Sequence, residues 1–263
     1  MIQTTLSKIL NAFGDKNYQY GKGIPYIFLE SLCSKMSKDR RFLETIDVKG
    51  KTVYDIGAYI GLLTIFFAKK VGVKGKVVAF EPNPESYSKL LVNIAGYPNI
   101  IPFNLGLGSK YEKLTMVASA HSCATGTIEP TMKRERTTHA YREWGIQVVS
   151  LDALQSLPPP HFVKIDVEGF ENSVLEGMKS TILSYKPMIY IEIHGVTPAM
   201  KKRNMQKILD YLENFNYKLY HVETHQRISS SYIPLTGHVL ACFSGKQEES
   251  QSEPGMRLKQ VLC

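Results

Sequence analysis

Short apolar runs alternate with helix-forming segments over most of this chain. The predicted strands are residues 53–56, 77–80, 100–105, 162–166, 188–194, 217–222 and 238–243. The helices predicted between them are residues 61–69, 84–95, 169–178 and 199–215. Strands that alternate with helices predict an α/β fold with a doubly wound, mainly parallel sheet. The last two strands are predicted to pair in antiparallel orientation.

Three regions depart from this alternation. Residues 1–48 carry apolar side chains at helical spacing, and we expect a helical N-terminal extension before the main domain at residues 49–243. About residues 118–147 are largely polar and are predicted to be a loop-rich insertion, where a substrate pocket can be built. Residues 244–263 are polar and are predicted to form a flexible tail.

A glycine turn with the sequence G-A-Y-I-G, residues 57–61, follows the first predicted strand. It lacks the second glycine that lets a dinucleotide-binding turn approach a pyrophosphate, and no Lys-Ser/Thr pair follows Gly61 as in a P-loop. Asp55 comes two residues before Gly57, where it would repel an anionic phosphate and favour a cationic nucleoside. The turn therefore predicts a site for S-adenosyl-L-methionine.

The second predicted strand ends in Glu81 and Pro82, and an acid at this place in a doubly wound sheet reaches the ribose hydroxyls. The carboxyl ends of the strands meet in one crevice. The candidate cofactor-binding residues at that crevice are Asp55, Gly57, Ala58, Tyr59, Gly61, Glu81, Pro82, Asn104, Gly106 and Asp166. We assign Glu81 to the ribose and the turn at 104–106 to the adenine. Asp55 and Gly57 are assigned to the methionine portion.

The composition is that of a globular protein, with 263 residues of which 43% are hydrophobic and 21% charged. The longest apolar run is too short to span a bilayer and the N-terminus has no signal-peptide pattern, which predicts a cytoplasmic protein. The four cysteines have no C-x-x-C spacing, so neither a zinc site nor a disulfide framework is predicted. The net charge of +8 favours acidic partners but is also typical of a plain basic surface.

Three blocks of sequence are distinctive: V-Y-D-I-G-A-Y-I-G at 53–61, V-V-A-F-E-P-N-P-E-S-Y at 77–87, and V-S-L-D-A-L at 149–154 leading into K-I-D-V-E-G-F-E-N-S-V-L-E-G-M at 164–178. These blocks resemble the FkbM-type family of S-adenosylmethionine-dependent methyltransferases, and the third is the most specific. The resemblance extends over about residues 53–194. It implies a seven-stranded Rossmann-like fold and transfer of a methyl group to a hydroxyl oxygen. It does not cover residues 1–48, most of the insertion at 118–147 or the tail, which are the regions expected to choose the acceptor.

A base that takes the proton of an acceptor hydroxyl assists such a transfer. Asp166, Glu168 and His194 are the candidates, and the sequence does not rank them. Strand alternation places Lys164 and Asp166 on one face, where they can pair, so a structural role for Asp166 is the alternative. Glu192 shares a strand face with His194, and with a nearby carboxylate the two could ligate a divalent metal. Carboxylates around a cationic cofactor explain the same residues, and no metal is predicted.

The predicted function is methylation of a hydroxyl on a small molecule, lipid or glycan. One alternative is an RNA or other nucleic-acid methyltransferase, suggested by the net charge and the basic residues in 133–142. It is not favoured because basic and aromatic residues are not interleaved along one face and no Asn/Asp-Pro-Pro-Tyr/Phe motif occurs. The other alternative is a non-catalytic, cofactor-binding regulatory protein, for which cofactor binding without turnover would be the sign.

Overall fold

The computed structural model describes residues 38–119, 122–128 and 141–245. Its helices are α1 (Lys38–Thr45), α2 (Leu62–Val71), α3 (Pro84–Ile94), α4 (Glu171–Glu176), α5 (Lys179–Tyr185) and α6 (Pro198–Glu213). Its strands are β1 (Thr52–Ile56), β2 (Lys76–Phe80), β3 (Ile100–Phe103), β4 (Gly106–Leu107), β5 (Glu112–Ser119), β6 (Ser122–Thr127), β7 (Tyr141–Val149), β8 (Phe162–Ile165), β9 (Met188–Glu192), β10 (Tyr217–His221) and β11 (His238–Phe243). Across these described ranges no helix is both long and apolar enough to cross a bilayer.

Seven strands form the main sheet in the order β10–β11–β9–β8–β1–β2–β3. All of them run parallel except β11, which is antiparallel to both of its neighbours. The doubly wound, mainly parallel sheet and its antiparallel last pair are therefore confirmed. The helix predicted at 169–178 is instead two short helices, because α4 ends at Glu176 and α5 begins at Lys179.

The central strands are buried on both faces, which explains why they read as continuous apolar runs. Tyr54 and Ile56 belong to the core cluster on one face, which α4, α5 and α6 cover, and Val53 belongs to the cluster on the other face, covered by α1, α2 and α3. Leu43 in α1 is buried in this second cluster. The end of the predicted N-terminal extension thus covers the sheet. Residues 1–37 of that extension, and the predicted tail beyond residue 245, lie outside the described ranges.

A second sheet, in the order β4–β7–β5–β6, occupies the region predicted to be a loop-rich insertion. Strands β5 and β7 pair antiparallel along eight residue pairs. The loop prediction is wrong for the described part of this region, because polar and apolar residues alternate there at the period of a strand. Met116, Ile146 and Val148 form its buried cluster.

Candidate active site

A cavity lies at the carboxyl ends of β1, β2 and β8, between the main sheet and the second sheet. It is lined by Ile56, Gly57, Tyr59, Phe80, Glu81, Pro82, Leu105, Gly106, Leu107, Met116, Ile128, Asp166, Val167, Glu168 and Phe170. Six of the predicted cofactor residues are among them: Gly57, Tyr59, Glu81, Pro82, Gly106 and Asp166. The cavity therefore combines three carboxyl groups with a largely apolar wall, the composition expected of a small-molecule site.

The glycine turn passes close to the end of β8. Gly57 has a φ of +81°, and a Cβ at this position would overlap the backbone carbonyl of Asp166. The backbone N–H groups of Gly57 and Ala58 both donate to the carbonyl oxygen of Phe80, each at 3.0 Å. Only glycine satisfies both the positive φ and this close approach. The turn is thus held against the ends of both neighbouring strands.

Glu81 lies at the end of β2 and is 5% exposed. Its Oε2 accepts a hydrogen bond of 2.7 Å from the Tyr59 N–H, and its Oε1 accepts one of 2.8 Å from the Asn83 N–H. Burial raises the pKa of Glu81 to about 7, although these two hydrogen bonds oppose the shift. Each carboxylate oxygen keeps a further lone pair for a hydroxyl donor, which suits a ribose.

Asp55 does not line the cavity, because its side chain is completely buried beneath the turn. Its Oδ2 accepts a hydrogen bond of 2.6 Å from Thr64 Oγ1, and its Oδ1 lies 3.2 Å from Lys164 Nζ. Asp55 and Lys164 are direct neighbours in the pairing of β1 with β8. The expectation that Asp55 faces the ligand is therefore corrected: its carboxylate is paired inside the protein.

Three other predicted cofactor residues are not among those that line the cavity. Ala58 is buried, and Gly61 directly precedes α2 with a φ of +91°. The side chain of Asn104 donates to the backbone carbonyls of Glu81 and Pro82, at 2.8 and 3.1 Å. These residues shape the turn and the strand end rather than lining the cavity.

The predicted pairing of Lys164 with Asp166 is confirmed, with 3.3 Å between Nζ and Oδ2. The side chain of Asp166 is 31% exposed and lines the cavity. Burial raises the pKa of Asp166, and the positive charge of Lys164 limits that rise. Glu168 lines the cavity two residues further on, and its backbone carbonyl accepts a 2.8 Å hydrogen bond from Thr127 Oγ1 of the second sheet. Two of the three candidate bases thus reach the cavity.

His194 is enclosed by carboxylates and does not line the cavity. Its Nδ1 lies 2.8 Å from Glu171 Oε1, and its Nε2 lies 3.7, 3.9 and 3.8 Å from oxygens of Asp166, Glu168 and Glu192. Burial alone would lower the pKa of His194, but the hydrogen bond and charge of Glu171, together with the nearby acids, raise it to about 10. His194 is therefore an imidazolium at neutral pH and has no free site for a proton.

Asp166, Glu192 and His194 each offer one ligand atom, and these atoms lie within 4.8 Å of one another. Such spacing suits a divalent metal. A metal at this place would have to displace a proton from His194, and the imidazolium already neutralises part of the carboxylate charge. Despite burial, the hydrogen bond from His238 and the charge of His194 lower the pKa of Glu192 to about 2. The absence of a metal remains our prediction.

Sequence reasoning missed two contacts of buried charged residues and one wall of the cavity. Lys164 also donates to the carbonyl of Gly57, and Glu171 holds His194. A lysine within the apolar strand F-V-K-I was the available signal for a buried counter-ion. The apolar wall of Met116, Ile128 and Phe170 combines the second sheet with the turn before α4, and no local sequence pattern predicts that contact.

The model of the methyltransferase FkbM domain family matches residues 55–219 of the chain. The chain is 33% identical over 151 residues to the hexuronic acid methyltransferase AglP of Haloferax volcanii, an alignment that covers 56% of this chain and 57% of AglP. It thus spans less than two thirds of the length of this curated relative.

Two solved structures superpose on this chain in part. The methyltransferase FkbM of Methylobacillus flagellatus superposes with a TM-score of 0.49 and 15% identity, over 92% of this chain and 59% of that one. A SAM-dependent O-methyltransferase of Thermotoga maritima superposes with a TM-score of 0.47 and 14% identity, over 84% of this chain and 72% of that one.

Proposed function

Since this chain belongs to the FkbM methyltransferase family, we propose that it transfers the methyl group of S-adenosylmethionine to a hydroxyl oxygen of a sugar in a glycan. The observation that carries this proposal is the single cavity that Gly57, Glu81 and Asp166 share at the carboxyl ends of three adjacent strands. The 33% identity to a hexuronic acid methyltransferase supports a sugar as the acceptor, within the wider class of small-molecule, lipid and glycan hydroxyls.

The residues around the cavity fit S-adenosylmethionine. Gly57 leaves a cradle that a Cβ would fill, and Glu81 offers carboxylate oxygens to the ribose hydroxyls. Leu105 and Gly106 would border the adenine, and the carboxyl groups of Asp166 and Glu168 favour a positively charged ligand. When bound, the cofactor supplies an electrophilic methyl group on a sulfonium.

The protein's own task is to align the acceptor oxygen and to remove its proton. Alignment of the two reactants can lower the barrier by roughly 7–11 kcal/mol. Of the three candidate bases we assign proton removal to Asp166, because its carboxyl group lines the cavity and its pKa is raised by burial. A general base of this kind contributes about 10²–10⁴-fold. Glu168 lines the same wall and stays the second choice, whereas His194 is protonated.

The second sheet forms the opposite wall of the cavity, where the acceptor would lie. Met116, Ile128 and Phe170 give this wall an apolar surface, and a sugar ring can place its C–H face against it. The sheet is attached to the main domain beside the cavity: Trp144 Nε1 and Arg142 both contact the carboxylate of Glu85, each at 3.3 Å. We assign the choice of acceptor to this wall.

The test is a methyl-transfer assay with isotopically labelled S-adenosylmethionine, purified protein and a panel of acceptors. The panel contains uronic-acid oligosaccharides, neutral oligosaccharides and RNA. Product masses identify the methylated acceptor, and mild alkali separates a methyl ether, which survives, from a methyl ester, which hydrolyses. Glu81→Ala serves as the matched variant and is expected to lose transfer.

An alkali-stable methyl group on an oligosaccharide is the expected result. Methylated RNA would replace the glycan proposal with the nucleic-acid alternative. Cofactor binding without turnover on any member of the panel would favour the non-catalytic alternative. No binding of S-adenosylmethionine or its demethylated product would refute the proposed function as a whole.

A further inference from the structure

Lys164 is the most unusual charged residue near the cavity, because it lies in the middle of the main sheet. It is 3% exposed, and its strand neighbours Phe162, Val163 and Ile165 are fully apolar and buried. Lysine is almost never fully buried unless its charge is paired. We therefore expect the charge of Lys164 to be paired with specific groups in the protein.

The ammonium group of Lys164 contacts three acceptors. Nζ donates to the carbonyl oxygen of Gly57 at 2.7 Å, and lies 3.2 Å from Asp55 Oδ1 and 3.3 Å from Asp166 Oδ2. A longer contact of 3.5 Å reaches the carbonyl of Ile56. An ammonium has three N–H donors, so the turn and both carboxylates can be satisfied together.

The hydrogen bond from Lys164 to Gly57 helps to fix one peptide unit of the turn in place. Lys164 holds the carbonyl of the Gly57–Ala58 peptide, while the N–H of the same peptide donates to Phe80 at 3.0 Å. The next N–H, that of Tyr59, donates to Glu81. A peptide bonded at both its carbonyl and its N–H cannot rotate without losing hydrogen bonds that are buried and costly to break.

We propose that Lys164 is a positioning residue of the methyl-transfer site, which joins the carbonyl of Gly57 to the carboxylate of Asp166 and so locks the cofactor turn and the proposed base in one arrangement. This role rests on the proposed function. In this role the ammonium group of Lys164 acts on the Gly57 carbonyl of the turn, in addition to pairing with Asp55. Preorganisation of this kind strengthens binding because the turn need not be ordered when the cofactor arrives.

The simpler role would be neutralisation of Asp55 alone, and the two roles can be separated. Lys164→Met by itself would leave the Asp55 carboxylate buried and unpaired, which is strongly destabilising. Asp55→Asn removes that charge while keeping an oxygen for Thr64 and leaving Lys164 in place. The informative comparison is therefore between the Asp55→Asn variant and the Asp55→Asn, Lys164→Met double variant.

Three quantities are measured for both variants: the thermal midpoint, the affinity for S-adenosylhomocysteine by calorimetry, and amide hydrogen exchange. Relative to Asp55→Asn, the double variant is expected to bind the ligand at least ~10-fold more weakly. Its Ala58 and Tyr59 amides should exchange at least ~10-fold faster, while the Val78 and Val163 amides in β2 and β8 stay protected. A merely structural lysine would change all four amides together or none of them.

Equal affinity and equal exchange in the two variants would overturn the positioning role. If the double variant does not fold, NMR of the wild-type protein provides the test. The ammonium resonance of Lys164 is identified as the one that disappears in the Lys164→Arg variant. This resonance is expected to shift when S-adenosylhomocysteine binds, and no shift in a ligand-saturated sample would overturn the inference. Wild-type protein that fails to bind the ligand would instead refute the proposed function.

Discussion

Cofactor binding should weaken in mild acid because of Glu81. This carboxyl group is 5% exposed and has a pKa raised to about 7 by burial. Ribose hydroxyls donate hydrogen bonds, so they bind the ionised carboxylate better than the protonated acid. The affinity for the cofactor is therefore highest above the pKa that Glu81 has in the ligand-free protein, and it falls as the pH drops through that value.

The magnitude follows from the two protonation states. If a bound ribose returns the pKa of Glu81 from about 7 to its ordinary value of 4.5, binding at pH 5.5 must first remove a proton from nearly every molecule. The dissociation constant is then about 30-fold larger at pH 5.5 than at pH 8, or about 2 kcal/mol. The positive charge of Lys164 lowers the pKa of Glu81, and the negative charge of Asp55 raises it.

Calorimetry with S-adenosylhomocysteine between pH 5.5 and 8 measures this dependence without the sulfonium charge. Glu81→Gln is the matched control, because it cannot titrate, and its weaker affinity should be constant with pH. Asp166→Asn should keep the dependence, since the group responsible is Glu81. A constant affinity in the wild-type protein, or the same dependence in Glu81→Gln, would refute the assignment of Glu81 to the ribose.

Three further predictions concern the same site. Asp166→Asn should keep the affinity for uncharged S-adenosylhomocysteine but lose turnover by about 10²-fold or more, and parallel losses of stability and activity would favour a structural role. Wild-type protein should be more stable than His194→Gln in urea unfolding, and this difference should be complete below pH 6.5. It should shrink by about 2–4 kcal/mol toward pH 10, because the pKa of His194 is raised to about 10. A difference in stability that does not change with pH would contradict this. Gly57→Ala should lower the free energy of unfolding by more than about 2 kcal/mol, since its Cβ would meet the carbonyl of Asp166, whereas Gly145→Ala, which meets nothing within 4 Å, should cost less than about 1 kcal/mol by the same measurement.

The main sheet was predictable because its central strands are buried on both faces. Runs such as V-Y-D-I and K-V-V-A-F have strand length, and the positions of all seven strands agree with the structure to within a few residues. The second sheet carried a weaker signal, in which Trp144, Ile146 and Val148 alternate with polar residues along β7. Its partner strand lies more than 20 residues earlier, so the local pattern alone did not reveal the pairing.

The candidate site was predictable where one segment determines it. Gly57 and Glu81 reach the cavity because each directly follows a strand. The position of Asp55 was not predictable in the same way, since its partner Lys164 is 109 residues away and the two meet only through the pairing of β1 with β8. A charged residue within an apolar strand can either contact a ligand or form a buried ion pair. Only its tertiary contacts distinguish these two interpretations.

The chain leaves the main domain for the second sheet and returns to it at neighbouring points, because β4 and the end of β7 pair in parallel, with Gly106 opposite Val148. A segment whose two ends are adjacent can be shortened, lengthened or exchanged without moving the strands that precede and follow it. The turn, Glu81 and Asp166 all lie outside the segment. If the second sheet selects the acceptor, as proposed, exchange of this segment would change the acceptor and leave Gly57, Glu81 and Asp166 in place.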